Sequence, residues 1–124
     1  MKRLIILSLL FVLVACGSNN DASNHNNFNV NIDEQYAQDT VETLRAIEAM
    51  ISKEDNFNNI NEDDENLQSV FDYIDTHLGK VYEDVDEEKL YQHMYNIVDD
   101  LAIYFNDKEM FIEDRKLIEN ILYE

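Results

Sequence analysis

Cys16 is the chain's one thiol, and His25, His77 and His93 are its only imidazoles. A lone thiol can form neither an internal disulfide nor a CxxC metal or redox pair. Zinc asks for ligands at short, regular spacing, as in HxxxH or HExxH. His77 and His93 fall instead on separate helical segments, each at the border of an apolar face. With Asp72 and Asp75 they could supply a mixed nitrogen and oxygen set if their helices align. They are the metal candidates, and half-buried packing residues are the plainer reading. An EF-hand loop needs alternating acidic oxygens, a central Gly and a Glu at its twelfth position. A loop starting at Asn59 has Asp64 in place of the Gly and Val70 last; one starting at Asp84 has Lys89 and Tyr95 there. Neither is a calcium site, although Glu62–Glu65 and Glu83–Glu88 leave room for loose divalent binding. Ser52 and Ser69 have no neighbouring base, GxSxG is absent, and so is the Glu-x-x-His of di-iron bundles. Carboxylates are too abundant for any pair of them to signal glycosidase chemistry. No enzyme activity and no cofactor are expected. Tyr91 and Tyr95, one helical turn apart, are the remaining candidates, either as a partner surface or as core-edge packing.

Charge narrows the partners. The chain has 124 residues, with 27 acidic against 9 basic, for a net charge of −18. Nucleic-acid binding through phosphate neutralisation needs Lys/Arg clusters that this chain lacks, so no nucleic acid is expected. A surface of this sign is also repelled by anionic lipid. With two Gly and no Pro, no glycine-rich phosphate loop can be written, and a turn-rich β-sandwich is disfavoured.

Lys2 and Arg3 precede an apolar run from Leu4 to Val14 that is interrupted only by Ser8. The run is short for a membrane span, which takes about 20 residues, and suits a signal-peptide core. Leu13-Val14-Ala15-Cys16 resembles the lipobox of bacterial lipoprotein precursors. The resemblance covers residues 1 to 17 and departs from the pattern nowhere. It implies that the Cys16 sulfur receives a diacylglyceryl group, that residues 1–15 are removed, and that Cys16 becomes the first residue. Two acyl chains hold a protein on a bilayer where one does not. Gly17 follows the Cys, so the Asp that resembles an inner-membrane retention signal is absent.

Residues 16–31 read as the lipidated Cys and an Asn-rich tether, too polar to bury surface. Residues 32–124 read as an acidic helical domain. Four segments carry apolar residues at helical spacing. In 33–53 the face is Ala37, Val41, Leu44, Ile47 and Ile51; in 62–78 it is Leu67, Val70, Phe71, Ile74 and Leu78, with Gly79 expected just past the end. In 85–105 it is Leu90, Met94, Ile97, Val98, Leu101 and Phe105, widened by Tyr91, Tyr95 and Ala102, which makes this the expected most-buried helix. Asp84 and Glu87 form a capping-box pattern at its start. In 108–123 the face is Met110, Phe111, Leu117, Ile118, Ile121 and Leu122. Asp114 falls inside that face. It is expected to cap a shorter helix starting at Arg115; otherwise the helix runs through and Asp114 meets a cation. Short links favour antiparallel neighbours, so the expected fold is all-α, a small antiparallel bundle of about four helices.

The functional expectation is an interaction protein anchored to the outer face of the cell membrane through lipid on Cys16, with a basic protein or cationic peptide as partner. An exclusion or masking lipoprotein acting on an envelope receptor or channel is the alternative. A metal-dependent module built on His77 and His93 ranks last.

Overall fold

The computed structural model describes residues 27–123. The expected signal segment, Cys16, His25 and most of the expected tether lie outside them. Five helices make up the described fold, with no strand among the described residues: α1 (Glu34–Lys53), α2 (Glu65–His77), α3 (Val85–Asp99), α4 (Leu101–Asn106) and α5 (Lys108–Tyr123), plus a 3₁₀ turn at Phe57–Asn59. The domain is all-α, as the helical periodicity requires.

Aspartates set the helix starts. Asp33 accepts from Tyr36 N, Asp64 from Asn66 N and Leu67 N, and Asp84 from Asp86 N and Glu87 N. Each satisfies amide donors that the first helical turn leaves free and places negative charge at the positive end of the helix dipole. Glu87 does not complete the capping box on its own helix. Its carboxylate accepts from Asp33 N at 3.1 Å, which ties the start of α1 to the start of α3.

The core is continuous. Ala37, Leu44, Ile47 and Ile51 of α1 meet Leu67 and Val70 of α2, Leu90, Met94 and Ile97 of α3, and Ile118 and Leu122 of α5. Helix α1 packs chiefly on α2, and α3 on α5. The first pair runs antiparallel: Asp39 near the start of α1 meets His77 at the end of α2, while Lys53 at the end of α1 meets Asp64 before α2.

Several expectations are corrected by the packing. The segment 85–105 is two helices, broken at Asp100, whose φ of −110° and ψ of 30° end α3. The bend seats Phe105 edge-on against Phe57, 5.6 Å away, and Tyr104 edge-on against Phe111. Helix α1, and not this segment, carries the most buried side chains, because Tyr36, Thr40, Thr43 and Met50 are buried beside the expected face. In α2 the buried stripe is Leu67, Val70, Tyr73 and His77, while Phe71 is 45% exposed; polar bonds to α1 turn the helix that way. Gly79 follows the α2 cap without a positive φ. Tyr95, Ala102 and Leu117 face outward.

Asp114 does not cap a helix. α5 runs straight through it, and the helix start is served by Asp107, which accepts from Met110 N at 3.1 Å. Half-buried Asp114 accepts a 2.6 Å hydrogen bond from the Tyr104 hydroxyl, so its partner is a phenol and no cation is needed. The last residues of the expected tether are also packed. Asn29 N donates to Leu122 O at 2.6 Å, its amide donates to Asp86 and Ile121 O, and its side-chain oxygen accepts from Asn31 N. Phe28 stacks on Tyr123, and Ile32 joins the core.

Candidate functional site

His77 ends α2 almost fully buried. Its Nε2 donates to Asp39 Oδ2 across 2.8 Å, since an ionised carboxylate can only accept. The ring stacks on Tyr36 at 4.7 Å and tilts against Tyr73 at 4.9 Å. Next to Asp39 in α1, the Thr40 hydroxyl donates to Tyr36 O at 2.8 Å, which leaves the hydroxyl of Tyr73, one turn before His77 in α2, as donor in its own 2.8 Å bond to Thr40. His77 and Tyr73 are therefore held by α1. The sequence-level partners Asp72 and Asp75 play no part in that bond. His93 sits half-buried on α3, outside this network. Among the described residues, no three His, Cys, Asp or Glu side chains are placed to hold a metal ion.

An aromatic file runs from this centre to the surface. Tyr36 stacks on Tyr82 at 4.8 Å, Tyr82 meets Tyr91 at 5.9 Å, and Tyr91 stacks on Tyr95 at 6.0 Å. The hydroxyls of Tyr82 and Tyr91 donate to His77 O and Leu78 O, carbonyls that the end of α2 leaves free. Tyr91 is thus a packing residue with a defined hydrogen bond, and Tyr95, 44% exposed, is its solvent end. Burial pushes the Tyr36 phenol far above the ordinary tyrosine range, and the neighbouring Tyr73 and Tyr82 phenols add to the shift. Burial likewise raises Tyr73 and Tyr82. The Tyr36 hydroxyl has no hydrogen-bond partner among the described residues.

Beside the His77–Asp39 bond, α1 and α2 enclose a cleft of about 190 Å³. Asp39 and Glu42 stand on one wall and Asp72 on the other. The hydroxyl-bearing Thr43, Ser69, Tyr73 and Thr76 lie between them, and no Lys or Arg lines it. In a chain of net charge −18, three carboxylates around one opening make a strongly negative concavity. Such a concavity is chemically suited to a positively charged group that reaches several separated oxygens.

Sequence reading missed Asp39, Thr43, Tyr36 and Tyr82 as site residues. Tyr36, Thr40 and Thr43 share helical spacing, which signals a polar stripe beside the apolar one; Tyr82 lies in a link and carries no periodic signal. Among the described residues, no helix is long and apolar enough to cross a membrane. Family models, curated proteins and solved structures all yield no match to this chain.

Proposed function

We propose that this chain is a lipid-anchored interaction module on the outer face of the cell membrane, and that it binds a basic protein or cationic peptide. The Leu13-Val14-Ala15-Cys16 motif supports the anchoring. The cleft between α1 and α2 carries the binding reading, because Asp39, Glu42 and Asp72 surround it without a cation among its lining residues. A Lys or Arg side chain of the partner enters there, and the wider acidic surface steers the encounter. Rate and affinity then fall with salt, as screening shortens to about 10 Å at 0.1 M.

Two measurements test the two halves separately. Membrane fractionation and intact mass of the wild type against Cys16→Ser test the anchor, and a mature wild-type protein without lipid mass on residue 16 refutes it. Binding of a fluorescent oligolysine peptide to the full chain tests the cleft. Glu42→Gln with Asp72→Asn should weaken binding more than two neutralised acids far from the cleft, such as Glu109→Gln with Glu113→Gln. Equal weakening by both pairs refutes the cleft as the binding place.

A further inference from the structure

A second cleft, of about 380 Å³, opens between α1 and α5. Its volume lies in the range of small-molecule sites. Two arginines line it, Arg45 from α1 and Arg115 from α5, and no other arginine follows Arg3 in the chain. Each is trailed on its own helix by a glutamate of the same cleft, Glu48 and Glu119. The lining therefore holds two guanidinium groups and two carboxylates, with half-buried Val41 and exposed Tyr123 as its accessible apolar wall and the buried Leu44 and Leu122 behind them.

The four charges are not equally engaged. Arg115 pairs with both glutamates, through an Nη1 hydrogen bond to Glu48 and through ion-pair contact with Glu119, 3.4 Å from a buried Nε that makes no hydrogen bond among the described residues. Arg45 has no ion-pair or hydrogen-bond partner among the described residues. An exposed, unengaged guanidinium presents a planar fork that matches a carboxylate. The carboxylates of Glu48 and Glu119 keep free lone pairs that match an ammonium.

The surrounding field selects the ligand's net charge. A simple anion drawn to Arg45 meets Glu48, Glu119 and the field of a −18 chain. A simple cation leaves Arg45 unmatched. A molecule bearing both charges meets neither penalty, and the apolar wall favours a hydrocarbon side chain on it. We propose that the α1–α5 cleft binds a zwitterionic apolar amino acid, with its carboxylate on Arg45, its ammonium between Glu48 and Glu119, and its side chain against Val41 and Tyr123. The site uses neither the acidic α1–α2 cleft nor Cys16, so it stands or falls independently of the proposed function.

The test is isothermal titration of the full-length chain with L-leucine, isoamylamine, 4-methylpentanoate and inorganic phosphate. Leucine should bind, and both singly charged analogues should bind at least about tenfold more weakly, the scale set by one charge-assisted hydrogen bond. Arg45→Gln should weaken leucine by a similar factor and leave the circular dichroism spectrum unchanged, since Arg45 is exposed. Glu119→Gln should weaken leucine while sparing 4-methylpentanoate. The proposal is overturned if leucine gives no heat at millimolar concentration, if the three organic ligands bind alike, if phosphate binds tighter than leucine, or if Arg45→Gln binds leucine as the wild type does.

Discussion

Replacing Asn29 with Ala should destabilise the domain, although this residue lies in a stretch that reads as a tether. Asn29 is 7% exposed. Its side chain donates to Ile121 O at 3.2 Å and to Asp86 Oδ2 at 3.0 Å, and accepts from Asn31 N at 3.0 Å. Counting only the two bonds to backbone groups, at about 1 kcal/mol each, Asn29→Ala costs about 2 kcal/mol. For a domain of this size that lowers Tm by roughly 8–16 °C. The bond to Asp86 adds a pH signature. The Asn29 amide, followed by that of Asn31, holds the Asp86 carboxyl below the usual carboxylate range. A depressed folded-state pKa contributes stability above the unfolded value, near 3.9, and that stability is lost as pH falls through the folded value. The gap in Tm between wild type and Asn29→Ala should therefore narrow as pH drops from 7 toward 3. Thermal unfolding followed by circular dichroism measures both effects, with the exposed Asn27→Ala as control. If Asn29→Ala and Asn27→Ala melt within 2 °C of each other at pH 7, the packed strap at 28–32 is refuted.

Tyr104→Phe strips half-buried Asp114 of its 2.6 Å donor and should cost about 1–2 kcal/mol in urea unfolding; an unchanged midpoint means that solvent already serves Asp114. Tyr36→Phe removes a buried hydroxyl that has no partner, so stability should hold or rise by up to about 1 kcal/mol, and a loss of that size would reveal a bond to Tyr73 or Tyr82. In an alkaline titration read by tyrosinate absorbance, Tyr36, Tyr73, Tyr82 and Tyr104 should ionise above the ordinary range, Tyr104 mainly through burial and then through Asp114. Raised folded-state values mean that this stability is complete below about pH 10 and is lost as pH rises further, so their ionisation should coincide with unfolding. Seven tyrosines titrating as one ordinary set in a folded chain would contradict the buried aromatic file.

The elements were legible because their signals are local. Ala37, Leu44, Ile47 and Ile51 recur within one helix, and Asp84 caps the amides two and three residues on. Asp100 was illegible because Ile97, Leu101 and Phe105 keep the apolar spacing across the bend, so nothing in the period marks it. The face of α2 was misjudged for a different reason. Phe71 outranks Tyr73 and His77 in hydropathy, yet Thr40 and Asp39 offer hydrogen bonds only to the latter two. Of the candidate sites, the metal pairing was open from sequence because helix alignment was unknown; the fold gives His77 to Asp39 and leaves His93 apart.

By itself, the amino-acid order determined the helical class, the acidic surface and the Asp84 cap, each set by residue type and spacing within a turn or two. Only the tertiary structure decided that Asn29 clamps Asp86 and Ile121, that Asp114 takes a phenol, and that Arg45 and Arg115 line one cleft. Those outcomes depend on which helices come within hydrogen-bond reach. That is a property of the packed core as a whole, and residues dozens of positions apart carry no local trace of it.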